Sequence, residues 1–351
     1  MELCAILQAA VEKKASDIFI VVGQPITFKI KGVLQRQDSE ILNTSKTAEL
    51  IQEMYKYAEI IDMEGLKTGD DDFALSLSGI GRFRTNIFRQ RGTLSAVLRV
   101  VSFDLQSYEE LLIPERILNF SMQKKGLILV TGTAGSGKST TLSHIIDRIN
   151  STRNCHILTL EDPIEFLHKH KKSIVSQREI GFDTENYHKA LRAAMREAPD
   201  VIFIGEMRDL ETIETAMTAA ETGHLVLSTL HTVGASNTID RIIDVFPSSQ
   251  QQQIRVQLSM VLNAIVSQQL LPSTDGLVPA FEILEATSAI RTMIRDGKVH
   301  QIDSVIYSSA KEGMISMDSS ILELFRKGRI STETAISHSM NQDSMRRAVT
   351  P

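Results

Sequence analysis

The sequence has little of what secreted, membrane-spanning and nucleic-acid-binding proteins usually need. It contains no tryptophan and only two cysteines, Cys4 and Cys155, which excludes a disulfide framework and a four-cysteine zinc site. No apolar run approaches the roughly 20 residues that span a bilayer. Aromatic residues are 5% of the chain and the formal net charge is −5, so neither base stacking nor a basic surface argues for nucleic acid. These absences favour a soluble protein of a reducing compartment and predict a cytoplasmic location.

The stretch from Gly126 to Asn150 has the strongest pattern in the chain. An apolar run, Gly126–Thr131, predicts a buried strand, and apolar residues at one-face spacing predict a helix after it. Between them, the sequence GTAGSGKST fits the phosphate-binding pattern G-x-x-x-x-G-K-[ST] in its required strand–loop–helix context. In such a loop the backbone N–H groups point at phosphate oxygens, so we expect Lys138 to reach the β- and γ-phosphates and Ser139 to bind Mg²⁺. The predicted nucleotide-binding residues are Gly132, Thr133, Ala134, Gly135, Ser136, Gly137, Lys138, Ser139 and Thr140.

Periodicity divides the chain into regions of different character. Residues 1–101 predict a small α/β domain with an antiparallel sheet, and periodicity lapses over 102–119, as in a linker. Residues 120–282 alternate strands with helices, which predicts a parallel α/β core, and residues 283–351 are predicted to be mostly helical. Within the core we expect Thr184 to cap one helix. We expect a second helix to continue through Leu262 and Ile265.

Polar residues follow three predicted strands of this core. Glu165 comes after the strand His156–Leu160, Glu206 comes after Val201–Ile204, and His224 and His231 bracket Leu225–Leu230. Ligands of open α/β sheets bind at the carboxyl ends of strands. A carboxylate there can hold the water shell of a metal or polarise an attacking water. Either acid alone is better explained as a solvated residue or a helix cap, but together they favour ATP hydrolysis with Mg²⁺.

Arg82 and Arg84 share one face of a predicted strand. A solvated face is the simpler explanation, yet the segment Gly81–Arg91 contains no acid to neutralise them. Unpaired arginines bind anions, and a phosphate reached across a subunit boundary is the arginine-finger case. We therefore include both among the candidate catalytic residues.

Several motifs together are similar to those of the secretion-ATPase superfamily, and within it to the retraction ATPases of type IV pili. The matching stretches are ASDIFIVVGQP, GRFRTNIFRQRG, GTAGSGKST, LEDPIEF, APDVIFIGEMRDLETI, AAETGHLVLSTLHT, TIDRIIDVFP and AIRTMIRDGK, in order along nearly the whole chain. One departure is Thr133–Ala134, where family members usually have Pro-Thr.

The resemblance implies an architecture and a role. It implies a PAS-like N-terminal α/β domain plus a RecA-like P-loop ATPase domain with a helical C-terminal subdomain, assembled as a homohexamer. It implies that Glu165 activates water, that Glu206 is an atypical Walker B acid and that His224 and His231 form a "His box". The implied partner is an inner-membrane pilus platform protein, reached from the cytoplasmic face of that membrane, and the need for a paralogous retraction ATPase stays open.

Three other functions remain as alternatives. Pilus-extension and type II secretion ATPases use the same chemistry, but those relatives usually contain a four-cysteine zinc module that two cysteines cannot build. A nucleic-acid translocase would need a basic, aromatic-lined channel. An ATP-binding accessory subunit would not need Lys138, Glu165 and Glu206 together.

Overall fold

The computed structural model describes residues 2–38, 40–60, 69–101, 105–274 and 276–350. Contacts divide the chain into two compact units, Met1–Asp104 with Glu165–Leu167, and Leu105–Ile164 with His168–Pro351. Of the predicted linker 102–119, residues 102–104 lie outside the described residues, and the rest belongs to the second unit.

In its described residues, the first unit is a six-stranded antiparallel sheet packed with two helices. Alternation along its fifth strand buries Phe83, Thr85 and Ile87 and leaves Arg84 exposed, as the sequence predicts. The strand order is β3-β2-β1-β6-β5-β4. The elements are β1 Asp17–Ile20, β2 Thr27–Ile30, β3 Val33–Arg36, β4 Asp70–Leu77, β5 Gly81–Gln90 and β6 Thr93–Val101, with helices α1 Leu3–Glu12 and α2 Thr44–Tyr57.

The second unit contains a seven-stranded sheet in the order β13-β12-β7-β11-β10-β8-β9. All neighbours pair in parallel except β12 and β13, which form an antiparallel hairpin. Strands β7, β10 and β11 are buried along their whole length, which explains why their sequences are mostly apolar. The strands are β7 Gly126–Thr131, β8 His156–Glu161, β9 Ile174–Glu179, β10 Val201–Ile204, β11 Leu225–Leu230, β12 Leu262–Ser273 and β13 Gly276–Glu285. The RecA-like parallel core is confirmed.

Helices pack around this sheet and make up most of the chain after it, which confirms the predicted helical tail. The helices of the sheet region are α3 Glu115–Leu118, α4 Lys138–Thr152, α5 Tyr187–Ala194, α6 Leu210–Glu221, α7 Ala235–Asp244 and α8 Ser248–Val261. Those of the tail are α9 Ser288–Arg295, α10 Ile302–Ser308, α11 Met317–Arg326, α12 Thr332–His338 and α13 Gln342–Val349. The 3₁₀ turns in the described part of the chain are Asn119–Met122, Val299–Gln301 and Ala310–Glu312.

Two local predictions about helices are wrong. Helix α8 ends at Val261, and Leu262 and Ile265 lie in strand β12, where they are fully buried. A short run of buried apolar residues suits either element, so periodicity alone could not separate them. Helix α5 is capped by the side chain of Asn186, which accepts a hydrogen bond from the Lys189 N–H, and not by Thr184.

His168 is a half-buried histidine whose ring nitrogen Nδ1 is itself buried. Its backbone N–H donates to Gln177 Oε1 at 2.8 Å, but within the described part of the chain Nδ1 has no hydrogen-bond partner. Burial, assisted by Lys171 and His144 and opposed by Asp147, lowers the pKa of His168 to about 4.

We expect this histidine to make the protein less stable in mild acid. Because the folded pKa lies below the ordinary 6.5, the unfolded chain takes up the proton first as the pH falls from 6.5 toward 4. Between pH 7.5 and pH 5 the free energy of unfolding should fall by up to about 2 kcal/mol more in the wild type than in His168→Gln. Urea unfolding at both pH values measures this, with the exposed His300→Gln as control. An equal loss in all three proteins would contradict it.

Candidate nucleotide-binding site

The loop between β7 and α4 has the geometry of a phosphate-binding loop. Lys138, the first residue of α4, is buried, and its Nζ donates to Gly132 O at 3.0 Å and Thr133 O at 2.9 Å. A buried ammonium group needs acceptors, and here the loop's own carbonyl groups provide them. The lysine is therefore held at the helix N-terminus, within the curl of the loop.

Two features of the loop fit an incoming phosphate. The Ser136 hydroxyl oxygen is buried and, among the described residues, has no hydrogen-bond partner. Thr133, Ala134 and Gly135 are exposed on the same loop, so a ligand can approach it. A buried hydroxyl that lacks a partner can donate to a phosphate oxygen.

Gln268 on strand β12 sets the position of this loop. A Cβ added at Gly132, whose φ is +145°, would lie 2.2 Å from Gln268 O, and one added at Gly137 would lie 2.8 Å from Gln268 Nε2. The Thr141 hydroxyl in the first turn of α4 donates to Gln268 Oε1 at 2.7 Å. Gln268 is 3% exposed and contacts both ends of the loop, yet its sequence context gave no signal of this role.

We expect Gln268→Met to weaken nucleotide binding. Methionine has a similar length but cannot accept the Thr141 hydrogen bond, and a buried hydroxyl without its partner costs about 1–3 kcal/mol. Looser anchoring of the loop should raise KM for ATP roughly tenfold, with a smaller change in kcat. The control is Gln269→Met on the next residue, whose amide lies 3.4 Å from His338 O. Equal KM values for the two variants would contradict this role.

Glu206 and His231 meet at the strand ends beside the loop. Glu206 Oε2 accepts from Arg208 Nε at 2.8 Å, and Oε1 lies 3.3 Å from His231 Nε2. Strands β10 and β11 are parallel neighbours and β11 also pairs with β7, so all three end at one edge. The Gly132 N–H donates to Leu230 O, the carbonyl just before His231. The structure therefore brings Glu206, His231 and the phosphate loop to the same edge.

The end of β8 adds a further acidic group. Glu161 is buried and accepts hydrogen bonds from Thr159 Oγ1 at 2.7 Å and Gln177 Nε2 at 3.2 Å. Tyr187 of α5 lies close by, with its hydroxyl packed against Gly205. Burial, assisted by Asp162 and Glu161, raises the pKa of Tyr187, so its phenol stays protonated and can donate a hydrogen bond.

His224 is not part of this edge. It precedes β11, and its carbonyl accepts from the N–H of Gly126, the first residue of β7. Its Nδ1 lies 2.9 Å from Ala219 O. The length of β7, about 20 Å, separates His224 from the phosphate loop. The two histidines bracket the strand as predicted, but a direct role at the phosphates of its own subunit is not supported for His224.

Arg82, Arg84 and Glu165 lie in the first unit, whereas the phosphate loop belongs to the second. The expectation that both arginines lack partners is wrong for Arg82, whose Nη1 donates to Ser76 Oγ at 3.1 Å. Arg84 is exposed and opposite Arg99 in the sheet, and Arg99 pairs with Asp17. Glu165 is exposed.

A cavity of about 230 Å³ adjoins the start of α4. Its polar lining is formed by Glu110, Thr140, Thr141 and Gln268, together with Gly137. Its apolar side is formed by Leu111, Leu112, Ile113, Leu270, Leu277 and Pro279. A flat apolar group attached to a phosphate chain could occupy it.

The described residues contain no cluster of three or more histidine, cysteine or acidic side chains that could hold a metal. A magnesium ion needs no such cluster when it is bound by a hydroxyl, phosphate oxygens and water. Ser139 and Glu206 therefore remain the candidate metal-binding residues. Among the described residues, no helix is both long and apolar enough to cross a membrane.

Comparison with known proteins identifies the family. The model of the Type II/IV secretion system protein family matches residues 2–350. The chain is 42% identical to the type IV pilus retraction ATPase PilT of Pseudomonas aeruginosa, over 95% of this chain and 97% of that protein. It is 48% identical to a twitching motility protein of Neisseria gonorrhoeae, over 78% of this chain and 74% of that protein.

A solved structure agrees with these relatives. The crystal structure of the pilus retraction motor PilT with bound ADP is 43% identical, covers 99% of both chains and superposes with a TM-score of 0.86. Together with the phosphate loop and the acid at the end of β10, these findings show that the chain is a P-loop ATPase that belongs to the type II/IV secretion system protein family.

Proposed function

We propose that this ATPase works as a homohexameric ring that powers retraction of type IV pili. The observation that supports this most is similarity over nearly the whole chain to a protein named as a retraction ATPase and to a solved retraction motor. We further propose that the ring acts at the cytoplasmic face of the inner membrane on a pilus platform protein, to which it passes the motions that hydrolysis drives.

Each residue at the loop has a distinct part in the proposed reaction. The backbone N–H groups of 132–137 and the Lys138 ammonium hold the β- and γ-phosphates, and the cavity beside Thr140 holds the nucleoside. Ser139 and Glu206 would hold Mg²⁺, Glu206 through water, and the ion would neutralise charge on the transferring phosphoryl group. His231 fixes the Glu206 carboxylate through the 3.3 Å contact.

The remaining groups come from the first unit. Glu165 would polarise the attacking water. Arg82 or Arg84 would stabilise the transferring phosphoryl group from a neighbouring subunit. Arg84 is exposed and Arg82 is half-buried on the same face of β5, and an exposed guanidinium group can reach a ligand outside its own sheet.

Mixed rings test whether the arginines act between subunits. We expect Lys138→Ala and Arg82→Ala/Arg84→Ala subunits each to be inactive alone, because a missing arginine finger commonly costs ~10³-fold or more in rate. Mixed together, some sites combine an intact loop with an intact neighbouring arginine, so ATPase activity should partly return. Light scattering confirms that rings form. Intact mixed rings without recovery would mean that the arginines act within their own subunit or only support the sheet.

Deleting the gene tests whether the ATPase drives retraction or extension of pili. Loss of a retraction ATPase should leave cells with excess surface pili and no twitching motility, whereas loss of an extension ATPase should leave cells without pili. Counting pili by electron microscopy distinguishes the two. Complementation with the wild type but not with Lys138→Ala would assign the phenotype to ATP turnover. Cells without surface pili would overturn the retraction proposal in favour of extension.

A further inference from the structure

The sheet edge that carries Glu206, His231 and the phosphate loop is here called the catalytic edge. A buried glutamate outside this group of residues binds the segment that follows His231. Glu282 on strand β13 is 6% exposed. Its Oε1 accepts from the Ala235 N–H at 2.7 Å, and its Oε2 accepts from the Met317 N–H at 3.4 Å. Ala235 begins α7 and Met317 begins α11, so one carboxylate binds the first residues of two helices.

The first helix continues from the turn that contains His231. This turn, 231–234, connects β11 to α7, and its last residue is Gly234, which has no side chain to cap the helix. The Gly234 N–H donates to Ser267 Oγ on β12 at 2.9 Å, and the next N–H, that of Ala235, binds Glu282. Two side chains of the β12–β13 hairpin, Ser267 and Glu282, therefore hold the end of this turn.

Three successive residues of β13 bind the start of the second helix, α11, or the residues just before it. The Phe281 N–H donates to Ser320 Oγ at 3.0 Å, and Ile283 forms a two-way backbone bridge with Ile315. Glu282 lies between them and binds Met317. Strand β13 and the start of α11 are thus tied together at consecutive positions.

The charge of Glu282 matters at both contacts. Burial raises the pKa of Glu282, while its two backbone hydrogen bonds oppose that shift. Two helix N-termini favour a negative charge, and each N–H needs an acceptor. A glutamine at this position offers one carbonyl oxygen and turns an NH₂ group toward the other N–H, so one contact must be lost.

We propose that Glu282 is a positioning residue for ATP hydrolysis, which holds the His231 turn against the catalytic edge and joins that turn to helix α11. The inference rests on the proposed role of His231 in fixing Glu206. It extends that role, because it connects the strand end beside the nucleotide with the first residue of a helix in the C-terminal tail.

The test is a double-mutant cycle between Glu282→Gln and His231→Ala. We expect Glu282→Gln to lower kcat about tenfold at saturating ATP while the Kd for ADP changes less than about twofold, since the phosphate loop keeps its own contacts. If Glu282 acts through His231, the double variant should be no slower than His231→Ala alone. Independent effects that multiply would overturn the proposal, as would full kcat in folded Glu282→Gln. If His231→Ala alone keeps full activity, the result contradicts the proposed role of His231 in fixing Glu206, on which the role of Glu282 rests.

Asp318→Asn is the matched control. Asp318 lies on α11 and, like Glu282, accepts two backbone hydrogen bonds, from Met340 and Asn341, but neither donor belongs to the His231 turn. We expect this variant to lower the melting temperature without changing kcat. If Glu282→Gln does not fold, Ser267→Ala removes the other anchor of the turn with little loss of volume. Unchanged kcat in Ser267→Ala would then overturn the anchoring proposal.

Discussion

Replacing Lys138 with alanine is expected to abolish ATP turnover while the protein stays folded. The ammonium group lies within the phosphate loop, 3.0 Å from Gly132 O and 2.9 Å from Thr133 O, where it can move onto an incoming phosphate. Without it, charge that develops on the phosphoryl group loses its nearest fixed cation, and the rate should fall on the order of 10³-fold. Phosphate release at saturating ATP measures the rate, and circular dichroism measures the fold.

The control for this change is Lys125→Ala. Lys125 is exposed and immediately precedes β7, at the opposite end of the strand from the loop. It should retain wild-type turnover. Normal turnover in a folded Lys138→Ala protein would mean that the loop does not hold the reacting phosphates.

Glu206→Gln is expected to lower kcat by roughly 10²-fold or more and to raise the Mg²⁺ concentration needed for half-maximal rate. The carboxylate is held on one side by Arg208 at 2.8 Å and on the other by His231 at 3.3 Å. The amide keeps the shape of the side chain but loses the charge that would attract the water shell of the metal. Turnover measured across a magnesium titration tests both parts.

The matched variant is Glu214→Gln, an exposed glutamate on helix α6 that should leave both values unchanged. Nucleotide affinity measured with fluorescent ADP should be similar in all three proteins. If affinity collapses in Glu206→Gln while single-turnover hydrolysis stays fast, Glu206 binds nucleotide and does not assist the chemistry.

Sequence motifs were enough to predict those parts of the site that are formed by residues adjacent in the chain. The phosphate loop is one continuous motif, so Gly132–Thr140 could be assigned without knowing the rest of the fold. The meeting of Glu206 with His231 followed from a general property of parallel sheets, that successive strands end at one edge.

Contacts between distant segments could not be predicted in this way. Gln268 and Glu282 act through a hairpin whose first strand was predicted as a helix, because Leu262 and Ile265 also suit a helical period. His224 shows a related limit. His224 and His231 belong to one sequence motif, but they lie at opposite ends of strand β11. Only His231 is therefore close to the phosphate loop.

The two glycines that contact Gln268, Gly132 and Gly137, differ in which atom of Gln268 would block a larger residue. At Gly137 the obstructing atom belongs to the glutamine side chain, so a shorter residue at 268 would make room, and asparagine tolerates the left-handed backbone there. At Gly132 the obstructing atom is the main-chain oxygen of residue 268, which every amino acid possesses. Replacing Gly137 therefore requires a second change at residue 268, which would also loosen the loop, whereas no change of side chain at 268 makes room at Gly132 while strands β7 and β12 run side by side.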